Sequence, residues 1–142
     1  MGSSTETNAT DRSSARRKIR VLIVDDSASV RKALSDIIAS DTDLEVMATA
    51  SDPYIAAERI RQEIPDVILL DIEMPRMDGF EFTKMVKADG RHAHIPIIMI
   101  TSRTAEKHRN HAKELGVDLY LGKPFQEEDL LRNLREMLAL TP

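Results

Sequence analysis

The sequence predicts an α/β fold in which a doubly wound, five-stranded parallel sheet is covered by five helices. Five short apolar segments alternate with five segments of helical periodicity, as in parallel sheets with helices on both faces. The first, third and fourth apolar segments are apolar throughout, which predicts central strands, whereas the second and fifth alternate with polar residues as edge strands do. Right-handed crossovers then favour the strand order 2-1-3-4-5, the flavodoxin-like arrangement.

Composition limits the number of domains and the surroundings of the protein. The chain has 142 residues and no cysteine, and its formal net charge is −4. Residues 1–18 are polar and then basic, and they contain too few apolar residues to bury, so we predict a disordered N-terminal tail before one domain at residues 19–140. No apolar run reaches the roughly 18 residues of a membrane span, and the acidic balance argues against direct nucleic-acid binding. We therefore expect a cytoplasmic protein without membrane contact.

Each predicted strand has the pattern expected of its place in the sheet. The strands are Arg20–Asp25, Leu44–Ala50, Val67–Asp71, Ile97–Thr101 and Val117–Gly122. In the second strand the alternation places Leu44, Val46 and Ala48 on one predicted face. In the fifth strand it places Val117, Leu119 and Leu121 together.

The predicted helices begin at recognisable start signals or where the sequence becomes polar. They start after Ser27, after Asp52, after Asp78, near Thr104 and at Gln126. Asp52 precedes a proline at the first helical position, and the spacing of Asp78 and Glu81 predicts a capping box. In the third helix we predict Phe82, Met85 and Val86 inward and Gly90 as the C-terminal glycine. The last helix is predicted to reach residue 140.

Unusual polar residues stand at the carboxyl ends of the predicted strands. Asp25 and Asp26 end the first strand, Asp71 ends the third, Thr101 ends the fourth, and Lys123 follows the fifth. Ligands of doubly wound sheets bind at this edge where the strand order reverses, here between the first and third strands. Three carboxylates there repel one another, so the site either holds a proton near neutral pH or binds a divalent cation.

Oxygen ligands that leave room for water and phosphate suit Mg²⁺, with Mn²⁺ as a substitute. An aspartate beside such a cation, with a lysine and a hydroxyl nearby, indicates a site for a phosphoryl group. Asp71 is then the candidate nucleophile, because it directly follows the apolar third strand.

Four motifs make the chain resemble the receiver domain of two-component response regulators: VLIVDDS, LLDIEMPRMDGFEF, IMITS and YLGKPF. The resemblance extends from about Ile19 to Leu140. The first half is most similar to the receiver of the chemotaxis methylesterase, and the second half to receivers fused to chemotaxis-type histidine kinases.

The resemblance implies how a phosphoryl group and a metal ion are held. Asp71 is expected to accept the phosphoryl group from a phosphohistidine of a histidine kinase or a phosphotransfer domain. Asp26 and Asp71 are expected to ligate Mg²⁺, Asp25 to act through a bound water, and Glu73 to contribute its main-chain oxygen.

The resemblance also implies the residues that transmit the signal. Lys123 is expected to contact the phosphoryl oxygens and to precede a cis peptide bond to Pro124. Thr101 is expected to be the switch hydroxyl and Tyr120 the switch aromatic. These residues would change the binding of an unidentified output protein at the surface formed by the fourth helix, the fifth strand and the fifth helix.

Glu73 and Arg103 flank this expected set and carry opposite charges. Glu73 lies two residues after Asp71, and Arg103 two residues after Thr101, so both are expected at the mouth of the site. We hypothesise that they pair across the mouth and slow the attack of water on the aspartyl phosphate.

We interpret the chain as a receiver that is not an enzyme beyond its own phosphorylation and dephosphorylation. Three alternatives remain. The chain is either a stand-alone protein, a monomer or a phosphorylation-dependent dimer, or a receiver excised from a methylesterase regulator or hybrid kinase. A distant alternative is a Mg²⁺-dependent phosphatase with an aspartyl nucleophile. Glu73 has the right spacing from Asp71 for that chemistry, but no substrate-specificity insertion interrupts the compact pattern. A pseudo-receiver that only binds a partner is disfavoured by the intact acidic set.

Overall fold

The computed structural model describes residues 17–139, in which strands and helices alternate. The strands are β1 Ile19–Val24, β2 Leu44–Ala50, β3 Val67–Leu70, β4 Ile97–Thr101 and β5 Leu119–Gly122. The helices are α1 Ala28–Ala39, α2 Pro53–Gln62, α3 Gly79–Ala88, α4 Glu106–Glu114 and α5 Glu127–Met137. The predicted tail lies outside the described residues except for Arg17 and Lys18, which are exposed, and so does Leu140. None of the described helices is long and apolar enough to cross a membrane.

The five strands form one parallel sheet in the order β2-β1-β3-β4-β5, which confirms the predicted fold class and strand order. The inner strands β3 and β4 are buried along their whole length, and β1 is buried over its last four residues. One core layer packs the sheet against α2 and α3 through Ile60 and Phe82. The other packs it against α1 and α5 through Leu34 and Leu130. Helices on both faces explain why the central strands are continuously apolar.

The edge strand β2 contains a bulge that the sequence pattern does not reveal. Its register against β1 shifts at Met47, which is left without a strand partner. Met47 and Ala48 both pack against the layer of α2 and α3, whereas Leu44 and Val46 belong to the other layer. The prediction that Ala48 shares a face with Leu44 and Val46 is therefore wrong, because one extra residue inverts the alternation beyond it.

The amino ends of α1, α2 and α3 confirm the predicted caps. Ser27 Oγ accepts a hydrogen bond from Val30 N at 3.3 Å. Asp52 accepts bonds from two main-chain N–H groups in the first turn of α2. Asp78 and Glu81 form the predicted capping box, in which each side chain accepts a bond from the other residue's main-chain N–H. These caps anchor the helix starts at the sheet edge where β1, β2 and β3 end.

Other boundaries differ from the prediction by one or more residues. β1 and β3 end one residue earlier, before Asp25 and Asp71. β5 begins at Leu119, because the main-chain N–H of Val117 still bonds to Ala112 O at the end of α4. The prediction that Val117 shares a face with Leu119 and Leu121 is wrong, because Val117 packs in the core layer of α2 and α3 and the other two pack in the layer of α1 and α5. α4 begins at Glu106, and no side chain caps it. α4 ends at Glu114, and Gly116, two residues later, has a φ of 98° in the left-handed region that favours glycine. Polar, uncapped helix ends give weak local signals, so such boundaries depend on tertiary packing.

Two predictions for α3 are wrong. α3 ends at Ala88, and the main-chain N–H of its C-cap residue Asp89 bonds to Val86 O; Gly90 follows without a positive φ, so it does not form the predicted glycine cap. Met85 is 41% exposed rather than inward. The buried stripe of α3 passes through Phe82 and Thr83, so Met85 lies at its border.

Gly79, the first residue of α3, lies directly against the main chain that follows β3. Its N–H donates to Ile72 O at 2.8 Å. A Cβ atom at Gly79 would stand 2.5 Å from Asp71 O and 2.9 Å from Ile72 Cα. Glycine is a poor helix former, so its place here is explained by this close approach.

Replacing this glycine tests how closely α3 is packed on the chain beside Asp71. We expect Gly79→Ala to lower the free energy of unfolding by about 1–3 kcal/mol, because backbone atoms must move to admit the methyl group. Gly90→Ala is the matched control, since a Cβ there meets no atom within 4 Å. Urea unfolding followed by circular dichroism measures both variants. Equal stability of the two variants would contradict the inference of close packing.

Candidate functional site

Main-chain hydrogen bonds beyond the strand ends bring the predicted site residues to one edge of the sheet. Asp71 N donates to Val24 O at 2.9 Å, which continues the β1–β3 ladder by one residue. Lys123 N donates to Thr101 O at 2.8 Å and continues the β4–β5 ladder in the same way. Asp25 follows the end of β1 directly. The backbone thus fixes where each side chain leaves the sheet.

Three carboxylates meet at this edge. Asp25, Asp26 and Asp71 each place an oxygen within 4.8 Å of the other two. Asp25 and Asp71 are 2% and 4% exposed, whereas Asp26 is exposed. The cluster is therefore a buried pair of acids with a third acid at its outer side.

Lys123 is the cation inside this cluster. Its ammonium lies 2.9 Å from Asp25 Oδ2 and 3.5 Å from Asp71 Oδ1. Burial opposes the charge of Lys123, but the hydrogen bond to Asp25 and the charges of both aspartates outweigh burial and raise its pKa. The peptide bond from Lys123 to Pro124 is cis, as the resemblance implied. The other Asp25 oxygen accepts a bond from Ser27 N at 2.9 Å, so both oxygens of that carboxylate have partners.

Asp71 is the carboxylate whose ionised form is least favourable in this cluster. Burial raises its pKa most, and the charge of Asp25 raises it further. The charge of Lys123 and the main-chain N–H of Glu73 lower the pKa only in part, so the carboxyl has a pKa of about 6. Among the described residues, no hydrogen bond of ordinary geometry reaches the buried Oδ1 atom, because the Lys123 ammonium that faces it is 3.5 Å away and makes only a long ion-pair contact. A buried oxygen without a donor is unfavourable, and a proton or a cation would satisfy it.

The two predicted switch residues contact the same residue of the β4–α4 loop. Thr101 is fully buried, and its Oγ1 accepts a bond from Arg103 N at 3.1 Å. Tyr120 is half-buried, and its hydroxyl donates to Arg103 O. The Arg109 guanidinium lies 5.1 Å from the centre of the Tyr120 ring. Arg103 therefore connects the end of β4 with the ring on β5.

Glu73 and Arg103 form an ion pair beside the cluster. Arg103 Nε lies 3.4 Å from Glu73 Oε2, and Ser102 Oγ donates to Glu73 Oε1 at 3.2 Å. Both charged side chains are about half exposed. The pair links the loop after β3 to the loop after β4.

Sequence reasoning missed three residues that support the site. Gly79 packs against Asp71, Ser102 bonds Glu73, and Arg31 donates to Asp25 O at 2.8 Å. The signal for Gly79 was present, since glycine at the start of a capped helix suggests a close backbone contact. The other two contacts depend on how α1 and the β4–α4 loop pack, which no local pattern encodes.

Comparison with known proteins agrees with this geometry. The sequence model of the response regulator receiver domain matches residues 21–135. The protein-glutamate methylesterase/protein-glutamine glutaminase 3 of Geobacter metallireducens is 52% identical over 124 residues, which are 82% of this chain and 34% of that protein. The chain spans about a quarter to a third of the length of the curated relatives that it matches.

Solved structures give the same result. The response regulator domain of Thermotoga maritima CheB superimposes with a TM-score of 0.77 at 35% identity, covering 89% of this chain and all of that domain. The CheX–CheY–BeF3–Mg²⁺ complex of Borrelia burgdorferi matches with a TM-score of 0.79 at 26% identity, covering 84% of this chain and 89% of that one. The predicted chemotaxis-type resemblance is confirmed, and the chain belongs to the response regulator receiver domain family.

Proposed function

We propose that the chain is a phosphorylation-controlled signalling switch in which Asp71 accepts a phosphoryl group from a phosphohistidine. The donor is a histidine kinase or a phosphotransfer domain. The observation that carries this proposal is the buried Asp71 carboxylate, which has an unsatisfied oxygen between an acidic pair and the Lys123 ammonium. A carboxylate oxygen is a competent nucleophile at phosphorus when nearby cations offset the developing charge.

The donor set fits a divalent cation such as Mg²⁺, with Mn²⁺ as a substitute. The cluster contains three carboxylates, whereas Lys123 supplies one positive charge. In addition, one Asp71 oxygen has no hydrogen-bond donor among the described residues. Such oxygens are suitable ligands for a divalent cation. Asp26 and Asp71 would hold the ion directly. Asp25 would act through water, because its two oxygens already accept from a main-chain N–H and from Lys123. Glu73 would add its main-chain oxygen. When bound, the ion offsets the negative charge of the phosphoryl oxygens.

Asp71, Lys123 and Thr101 have separate roles in the transfer of the phosphoryl group. An Asp71 oxygen forms the new bond to phosphorus as the bond from phosphorus to the histidine nitrogen breaks. The Lys123 ammonium, already beside Asp71, moves to a phosphoryl oxygen. The Thr101 hydroxyl donates to another phosphoryl oxygen and gives up its contact with Arg103 N. The self-catalysed reactions of this site are formation and hydrolysis of the aspartyl phosphate.

The phosphatase alternative receives less support than the switch. It requires a free acid–base carboxylate beside the nucleophile, and Glu73 is the carboxylate at that spacing. Both Glu73 oxygens are engaged, one by Ser102 and the other by Arg103. Turnover of a generic phosphate ester would favour the phosphatase.

The signal leaves the site through the β4–α4 loop. Thr101 and Tyr120 both bond to Arg103, so movement of the hydroxyl toward a phosphoryl group alters the position of the ring. Only Ala112 of α4 is buried, so this helix is weakly held. An output protein would bind the surface formed by α4, β5 and α5, where a groove of about 380 Å³ is lined in part by Arg109 and Tyr120. This rearrangement selects between two states of one surface.

A second candidate concerns the protein to which the receiver belongs. The curated relatives are named methylesterase/glutaminase, and the chain matches only a quarter to a third of their length. The same switch would then control a methylesterase effector. In either setting we place the chain in the cytoplasm, as a monomer or a phosphorylation-dependent dimer.

Incubation with Mg²⁺ and a small phosphodonor tests the proposed acceptor. We expect a covalent adduct of one phosphoryl group, detected by intact mass, because Asp71 is the nucleophile. Asp71→Asn should abolish the adduct, and Asp36→Asn, which alters an exposed acid of α1, should retain it. An adduct on Asp71→Asn would contradict Asp71 as the acceptor.

A phosphoryl mimic should also shift backbone resonances within residues 104–131. No shift in that segment would contradict the proposed output surface.

Removal of the Asp71 charge should stabilise the metal-free chain in a pH-dependent way. The pKa rises on folding from 3.8 to about 6, so the unfolded chain ionises first and the fold loses stability between about pH 4 and pH 6. We expect Asp71→Asn to match the unaltered chain near pH 3.5 and to exceed it by about 2–3 kcal/mol at pH 7.5. Urea unfolding with a chelator at several pH values measures the difference. A pH-independent difference would disprove the electrostatic explanation.

Loss of the ion pair at the mouth should shorten the lifetime of the phosphate. We expect Glu73→Ala and Arg103→Ala each to raise the dephosphorylation rate about twofold to fivefold, because an exposed pair contributes up to about 1 kcal/mol to the barrier against water. Decay of radiolabelled phosphoprotein measures the rate. Arg132→Ala, which breaks an exposed pair on α5, is the control. Unchanged rates in both mouth variants would remove the gate hypothesis.

A further inference from the structure

The loop between β3 and α3 contains a strained turn centred on Arg76. Arg76 has a φ of 70°, in the left-handed region that residues other than glycine rarely adopt. Met77 N donates to Pro75 O at 2.8 Å across it, which closes a three-residue γ-turn. A γ-turn with a positive central φ is the rare and strained form, and such geometry persists only where surrounding contacts hold it.

The side chain of Arg76 supplies those contacts. Arg76 Nη2 lies 2.6 Å from Asp52 Oδ2, and its guanidinium carbon lies 4.9 Å from the centre of the Tyr54 ring. Asp52 is itself fixed, because its other oxygen accepts from the main-chain N–H groups of Tyr54 and Ile55. The Asp52 side chain is 16% exposed, so the pair is less hydrated than a fully exposed one. We name Asp52, Tyr54 and Arg76 the loop clamp.

The loop clamp fixes one end of the segment that borders the proposed cation site. At its base, Gly79 N donates to Ile72 O at 2.8 Å, and beyond it the Arg76–Asp52 pair ties the turn to the start of α2. Glu73 lies between these two attachments, and its main-chain N–H interacts with the Asp71 carboxylate. Only two residues, Met74 and Pro75, separate Arg76 from Glu73, so a change at Arg76 lies close along the chain to the main chain of Glu73.

We propose that the loop clamp is a positioning device that holds the main chain at Glu73 ready for a divalent cation and so sets the affinity of the site for Mg²⁺. Arg76 and Asp52 act through the loop and do not touch the ion. The inference rests on the proposed function, because it assumes that Glu73 contributes its main-chain oxygen. It goes further by assigning a role to an exposed ion pair whose partners are 24 residues apart in sequence.

Mg²⁺ titration of clamp variants by isothermal calorimetry tests the inference. Arg76→Ala removes the cation, and Asp52→Ser removes the anion but retains a good N-cap residue for α2. We expect each to weaken Mg²⁺ binding about threefold to tenfold, and the double variant no more than either single one, because all three break one interaction. Arg76→Lys, which preserves the ion pair without the planar stacking, should recover part of the affinity.

Arg61→Ala is the matched control for these titrations. Arg61 is as exposed as Arg76, at 61%, and it forms an ion pair with Glu58 on α2. We expect its Mg²⁺ affinity to stay within twofold of the unaltered chain. Hydrogen exchange of the metal-free proteins is the second readout: amides of residues 72–78 should exchange faster in Arg76→Ala and Asp52→Ser than in Arg61→Ala.

The outcomes separate the loop clamp from the proposed function. Unaltered affinity and exchange in Arg76→Ala would overturn the loop clamp and leave the proposed function intact. Additive losses in the double variant would also overturn it, since independent effects are not one interaction. If the unaltered chain does not bind Mg²⁺, the proposed function fails and the inference fails with it.

Discussion

Three carboxylates share one edge of the sheet with a single ammonium group, and the rest of the site is arranged around their mutual repulsion. Lys123 bonds Asp25 and stands beside Asp71, but it cannot neutralise both acids and Asp26 as well. Burial and then the charge of Asp25 raise the pKa of Asp71 to about 6, and one of its oxygens is buried without a hydrogen-bond donor among the described residues. This arrangement is unfavourable for the isolated fold and favourable for a reaction that brings a cation and a phosphoryl group.

Such a site stays assembled because rigid elements hold its backbone. Ladder bonds extend past the strand ends at Asp71 and Lys123, and Gly79 lets α3 begin against the main chain of Asp71. The Arg76–Asp52 pair ties the strained turn of the same loop to α2. The side-chain carboxylates repel one another, while the main-chain N–H groups of Asp25, Asp71 and Lys123 are held by hydrogen bonds to neighbouring strands. Unfavourable local geometry persists at functional sites only where the surrounding structure holds it in this way.

Arg103 connects the residues around Asp71 with the surface that we propose as the binding site of an output protein. Its side chain pairs with Glu73 at the mouth, its N–H bonds Thr101, and its carbonyl oxygen accepts from Tyr120. One loop residue therefore contacts Glu73, Thr101 and Tyr120, which we propose as the gate, the switch hydroxyl and the switch ring. In the proposed switch, a change at Asp71 would reach α4 through Arg103, and Ala112 is the one buried residue of that helix.

The sequence alone determined the elements of the fold, their order in the sheet and the residue types at its edge. Those signals are local: apolar runs, the caps at Ser27, Asp52 and Asp78, and acids that follow strands. Only the tertiary structure decided the bulge at Met47, the exposure of Met85, the pKa of Asp71 and the clamp from Arg76 to Asp52. These depend on which groups packing brings together across the chain, and neither periodicity nor spacing records such distances.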